Sequence, residues 1–201
     1  SVANEVENKI SYFKHPIYKD YASDINGNIY SLKFEKIRLI NPCENNKFGY
    51  LQFHISNNGN RKLYRVNRFV FECLNNRLFE KNKDIDHIDK NKKNNQISNL
   101  RMVSRATNIL NRYNNEEVNE LPENSIKIIK YNSHLFENLY FSPSNIYLYR
   151  VSDEYFFRIE FKEYKNKVNG KIYYNYKTQI NDINNNCVQI YLNKLRRDLG
   201  Y

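Results

Sequence analysis

The sequence predicts an α+β fold in which a central strand–loop–strand–helix module is flanked by two small strands-plus-helix units. Three observations predict it. Asn26-Gly27, Asn58-Gly59 and Asn169-Gly170 sit between aromatic and β-branched runs, where such pairs mark tight turns between strands. The apolar period then becomes helical at Val66, Phe69, Val70, Cys73 and Leu74, which fall on one face. Between the outer units, DIDHIDKNKKNNQISNLRMVSRATNILNR (84–112) sets two short apolar runs around a polar loop and closes on a helix-like segment.

The first unit, residues 1–80, reads as short strands followed by one helix. YLQFHI (50–55) alternates as a half-buried strand does, and Arg61, Lys62, Arg65 and Arg68 crowd the start and the outer face of the helix. In the central module, residues 81–115, DIDHI and LRMV read as strands, and Ser104 is placed to cap a helix beginning at Arg105. NNEEVNELPEN reads as a linker into the last unit, within residues 116–201. There NIYLY (145–149) echoes NIYSL (28–32), and YNYKTQI (174–180) takes the place of YLQFHI. Val188, Leu192, Leu195 and Leu199 read as a final helical stripe beside Lys194, Arg196 and Arg197.

Composition narrows the function. A chain of 201 residues, 40% hydrophobic with 18 Tyr and 12 Phe, can build aromatic cores. It contains no apolar run long enough to span a membrane and no secretory leader pattern, so an intracellular protein with no membrane partner is expected. A net charge of +10 points to a polyanion. Cys43, Cys73 and Cys187 are far apart with no C-x-x-C pair, so no structural zinc and no disulfide framework are expected.

Chemistry gathers around His87. Asp86 and His87 share a strand and point to opposite faces, while Asn108 lies about a turn inside the following helix. A carboxylate and an amide oxygen suit a hard cation completed by water and phosphate, and a histidine can take a proton from water near neutral pH. An Asp-His pair by itself is more often a solvated loop than a site.

The string from Asp84 to Arg112 resembles the HNH motif of the ββα-metal nucleases, in the D-H…N…N form of homing endonucleases. The matching residues are Asp86-His87-Ile88-Asp89-Lys90-Asn91, then Asn94-Asn95-Gln96-Ile97-Ser98-Asn99-Leu100-Arg101-Met102-Val103, then Asn108 and Asn111. YKDYASDINGNIYSLK, FGYLQFHI and YRVNRFVFECL resemble the NUMOD4-like module that often precedes such motifs. Lys90 stands where Gly is frequent, Met102 where Trp is common and Asn67 where His is frequent.

The resemblance implies a central ββα-metal motif and a metal-dependent DNA endonuclease, site-specific as homing and restriction enzymes are. His87 would be the general base, Asn99 would hold the loop, and Asp86 and Asn108 would ligate Mg²⁺, with Mn²⁺ as substitute. Products would carry 5′-phosphate and 3′-hydroxyl ends. Double-stranded DNA is the implied partner, and a monomer would nick where a homodimer could cut both strands. Lys90, Lys92, Lys93, Arg101, Arg105 and Arg112 would seat the phosphate backbone, with Arg61, Lys62, Arg65 and Arg68 on one side and Lys194, Arg196 and Arg197 on the other. Two other readings stand beside this one: a DNA-binding regulator that keeps the fold without cutting, and an RNA-directed nuclease.

Overall fold

The structure is a computed structural model and describes residues 11–45, 47–113 and 115–201. Contacts divide the chain into two units, Ser1–Arg105 and Ala106–Tyr201.

The first unit opens with a four-stranded antiparallel meander of β1 (Phe13–Lys14), β2 (Tyr21–Ser23), β3 (Ile29–Ser31) and β4 (Arg38–Ile40). A three-stranded sheet follows, β5 (Cys43–Glu44), β6 (Leu51–Asn57) and β7 (Asn60–Arg65), and then α1 (Val66–Asn75). The unit ends in a hairpin of β8 (Lys83–His87) and β9 (Leu100–Ser104). At the β6–β7 turn Asn58 and Gly59 both take positive φ, 49° and 78°, the conformation that matches the twist of the strands they join.

The predicted helical stripe is the buried face of α1: Val66, Phe69, Val70 and Cys73 meet Tyr21, Ile29, Phe53, Ile55, Ile85 and Leu100 in one core. Ile85 and Leu100 come from the hairpin, so this core runs without interruption past residue 80, where the sequence places its first boundary. Arg61, Lys62 and Arg65 lie on β7 rather than on the helix, and Arg68 is carried by α1.

Two buried polar clusters tie this unit together. His15 accepts the Ile17 and Tyr18 amides on Nδ1, both at 3.1 Å, so its ring hydrogen is on Nε2 and is donated to Glu72 Oε2 at 2.9 Å. Tyr64 donates to the same carboxylate oxygen at 2.6 Å, which binds the N-terminal segment and β7 to α1. In the Asp24–Asn28 turn, Asp24 Oδ1 accepts the Asn26 and Asn28 amides, and Oδ2 accepts Asn28 Nδ2 and the Tyr30 hydroxyl. Burial alone would raise the Asp24 carboxyl, but these donors outweigh it and hold the group below its ordinary 3.8.

The helix α2 (Arg105–Arg112) opens at the division between the units. In the second unit β11 (Ile126–Tyr131), β12 (His134–Ser142), β13 (Tyr147–Ser152) and β14 (Tyr155–Ile159) form a meander, and β10 (Glu116–Val118) pairs with the free edge of β14. Part of the segment read as linker is therefore an edge strand. Its pairing places Glu116 opposite Arg158, and the two form an ion pair. Next come β15 (Lys162–Val168), β16 (Lys171–Asn181) and β17 (Cys187–Tyr191), and then α3 (Leu192–Asp198).

Val188 is a second correction. It belongs to β17, where Val188 and Ile190 alternate inward, and the helical stripe begins only at Leu192. Ile128, Leu139, Phe141, Leu148, Ile190 and Leu195 lie at the centre of this unit's own core. The Asp182–Asn186 turn repeats the hydrogen bonds of the Asp24 turn, with His134 Nδ1 taking the place of the tyrosine hydroxyl at 2.7 Å from Asp182 Oδ2. The order of elements in the two units is alike: meander, three-stranded sheet, helix.

A carboxyl held below its unfolded value stabilises the fold above that value and ceases to do so as pH falls through the folded one. Asp24→Asn should therefore cost about 1–3 kcal/mol at pH 7, because the new amide faces the donors of Asn28 and Tyr30. Urea unfolding below the ordinary 3.8 should show that gap narrowing as the wild-type carboxylate is protonated.

Candidate active site

The site lies in the β8–β9 hairpin and its connecting loop. Antiparallel register sets Asp86 opposite Arg101 and His87 opposite Leu100. Asp86 and His87 are 4% and 3% exposed, so this polar pair lies in the protein interior rather than in a solvated loop.

Asn95 orients His87. Its Nδ2 donates to the Lys93 carbonyl at 3.2 Å, which turns Oδ1 toward His87 Nε2 at 3.1 Å. An amide oxygen only accepts, so Nε2 carries the hydrogen and the basic lone pair of the neutral ring resides on Nδ1. Burial holds the His87 imidazolium below its ordinary 6.5, against the Asn95 hydrogen bond and the charges of Asp86 and Asp89, which favour it. The ring is therefore neutral at pH 7.

Asn99 closes the loop. Its backbone carbonyl accepts the Ile88 amide, its Oδ1 accepts the Asp89 amide, and its Nδ2 donates to Asp89 Oδ1 at 2.9 Å and to the Asn94 carbonyl at 2.8 Å. The Lys90 amide donates to the His87 carbonyl, and Lys90 takes φ +66°, the left-handed conformation for which Gly is suited. The substituted position therefore keeps the turn.

Arg101 Nε donates to Asp86 Oδ2 at 3.1 Å, and its side chain is only 10% exposed. The structure thus places Arg101 on the carboxylate of the site. Lys92 donates to the Phe48 carbonyl and lies over the Tyr50 ring, and Lys93 pairs with Glu44 at 2.7 Å. Arg65 lies over the same Tyr50 ring at 4.7 Å, and the Tyr50 and His87 ring centroids are 5.9 Å apart. Lys90 and Arg105 are exposed. Asn108 and Arg112 are on α2, and Lys194, Arg196 and Arg197 are on α3, where Lys194 pairs with Asp198. Asn67 Nδ2 donates to the Ile85 carbonyl at 2.9 Å, tying α1 to the strand one residue before Asp86.

Among the described residues no group of three His, Cys, Asp or Glu side chains could hold a metal ion by itself. The donor chemistry fits a hard cation of the Mg²⁺ type, which takes one or two protein oxygens and keeps water and phosphate as its other ligands.

Residues 64–110 match the HNH endonuclease family. The match spans less than a quarter of the chain and holds the Asp86–His87 hairpin. The match begins in β7 and takes in α1, the hairpin and most of α2. Among solved structures, the HNH homing endonuclease I-HmuI, described for DNA binding and cleavage, aligns at 24% identity and a TM-score of 0.44. That alignment covers 52% of this chain and 58% of that one. No curated protein matches.

Three contributors to the His87 site are not legible as such in the sequence. Asn95 stands inside the matched asparagine run, and the period of the motif gives no sign that it, rather than Asn94, meets His87. The Asp86–Arg101 pair follows from the hairpin register once both strands are drawn antiparallel. Gly27 is the third, and nothing local reveals it. A Cβ on Gly27 would lie 2.5 Å from the Asn95 carbonyl oxygen and 2.7 Å from its carbon, and the adjoining Ile97 amide donates to the Ile25 carbonyl at 3.0 Å. The β2–β3 turn is seated on the residue that orients His87.

Gly27→Ala compared with Gly59→Ala isolates this contact. Both glycines have left-handed φ, +84° and +78°, but a Cβ at Gly59 meets nothing within 4 Å. Gly59→Ala should cost about 1–2 kcal/mol of backbone strain. Gly27→Ala should cost about 1–3 kcal/mol more from the clash, measured by urea unfolding, and should also move the Asn95 side-chain NMR signals.

Proposed function

We propose that this chain is a metal-dependent endonuclease that hydrolyses phosphodiester bonds in double-stranded DNA. The observation that carries the reading is a buried, neutral His87 held by Asn95 beside a buried Asp86, inside a segment that matches the HNH family. The net charge of +10 supports a polyanionic substrate.

His87 Nδ1 takes the proton of the attacking water, and the Asn95 hydrogen bond keeps the ring in the tautomer and orientation that this requires. The water oxygen bonds to phosphorus as the P–O3′ bond breaks; the departing 3′ oxygen takes a proton from solvent and His87 returns its proton to solvent, leaving a 5′ phosphate and a 3′ hydroxyl. Asp86 is the carboxylate ligand, oriented by Arg101 Nε, and Asn108 enters as second oxygen ligand on the spacing of the motif alone. A bound Mg²⁺, or Mn²⁺ in its place, would neutralise charge on the scissile phosphate and the leaving 3′ oxygen. Asn99 keeps the loop closed so that neither His87 nor Asp89 swings away. Lys90, Arg105 and the clusters on β7 and α3 seat the phosphate backbone, and groove contacts from the flanking segments would make cutting site-specific. One HNH site per chain nicks one strand; cutting both requires a homodimer or two events.

The test uses supercoiled plasmid carrying a random-sequence insert library. Wild type with Mg²⁺ should yield nicked or linear DNA, EDTA should abolish it, and His87→Ala should slow it by about 10²–10⁴-fold. Salt-sensitive binding of the library by wild type with no cutting in Mg²⁺ or Mn²⁺ would instead identify a regulator.

A further inference from the structure

The second unit carries a feature that the HNH site does not use. β15 pairs with Lys171–Lys177 of β16, whereas β17 pairs only with Lys177–Asn181. From Lys162 to Tyr176 the sheet is thus a ribbon two strands wide. Its tip, Asn169-Gly170, has positive φ at both residues, 50° and 79°. Near its base, Tyr164 and Asn175 are half-buried and Asn193 of α3 donates to Asn175 Oδ1 at 3.4 Å, whereas every other residue from Lys162 to Tyr176 is exposed. The unit's core stops at Ile180, Val188 and Ile190. A hairpin of this width is marginal in water, and this one leaves Ile172, Tyr174 and Tyr176 exposed along one face, so a long one needs another reason to be kept.

Its chemistry supplies one. Residues 162–177 hold five lysines and a single glutamate. Lys165 lies over Tyr174 at 5.4 Å, and the half-buried Lys177 lies over Tyr164 and Tyr191 at 4.8 and 5.9 Å, which stiffens the ribbon. Among the described residues Lys162, Lys165, Lys167 and Lys171 take no part in an ion pair. Strand alternation separates the faces. Lys162, Lys171 and Lys177 share one face with Asn166 and Asn175 and with no carboxylate; Glu163 is on the other.

We infer that this ribbon is a groove-binding arm for double-stranded DNA, which lays the face carrying the exposed Asn166 in the major groove and sets Lys162 and Lys171 against the flanking phosphates. The partner class rests on the function proposed above. Strands about 4.8 Å apart, with their side chains, fill a B-form major groove about 12 Å wide, and asparagine can pair in bidentate fashion with adenine there. The deep, narrow major groove of A-form RNA does not admit such a ribbon.

The test measures anisotropy of a labelled DNA duplex in EDTA, so that binding is read without cutting. Lys162→Gln/Lys171→Gln is compared with Lys127→Gln/Lys130→Gln, an equal charge change at exposed positions of β11. Each lost phosphate contact lowers the slope of log K against log salt by about 0.9, so the ribbon pair should lower it by about 1.8 and the β11 pair by far less. Thermal melts should be alike for both variants, since all four lysines are exposed. Equal slopes for the two variants would overturn the arm and leave the nuclease standing. Competition by duplex RNA or single-stranded DNA as strong as by duplex DNA would overturn the groove. No binding of duplex DNA by wild type would overturn both proposals.

Discussion

Where a side chain on Gly27 would be, the backbone of Asn95 already stands. That close approach links the β2–β3 turn to the loop that follows His87, and the rest of the site depends on it. Asn95 can hold the His87 ring only if its own backbone is fixed, and the turn packs against that backbone. The turn in turn keeps its shape through the four donors on Asp24. The sequence of causes runs from a buried carboxylate to a glycine, to an asparagine, to the His87 ring.

This arrangement explains why the His87 hairpin does not stand apart from the strands before it. Two strands and a loop cannot bury two polar side chains such as Asp86 and His87 by themselves. Ile85 and Leu100 enter the core that α1 organises, and Asn67 ties α1 to the backbone of β8. The His15–Glu72–Tyr64 cluster does the same on the far side of α1. Burial then has a chemical consequence: it holds His87 neutral at pH 7, the state in which an imidazole accepts a proton.

What could be read from sequence is what local rules govern. The turns at Asn58-Gly59 and Asn169-Gly170 take the positive φ that two-residue hairpins demand, and the Val66–Cys73 stripe is the buried face of α1. The strand–loop–strand order around His87 is visible because the HNH spacing is a property of one continuous segment. What was missed depends on contacts distant in sequence. Gly27 meets Asn95 across 68 positions, and no pattern around either residue encodes that meeting. Glu116–Val118 is polar enough to read as linker and becomes a strand only because β14 offers a free edge and Arg158 a counter-charge. Val188 fits a helical period and an alternating one equally well, and pairing with Ile180 decides between them.

Native-state hydrogen exchange tests most directly the central claim, that the His87 loop is held by the core of the whole first unit. The Ile97 amide bonds to Ile25 and the Ile88 amide to Asn99, while Val70 lies in the middle of α1. If the loop and core are one cooperative unit, all three amides open with the same free energy, and that energy tracks global stability as urea is added. Exchange of Ile88 and Ile97 at a much lower, urea-independent free energy than Val70 would show a loop that opens alone, and would contradict the account.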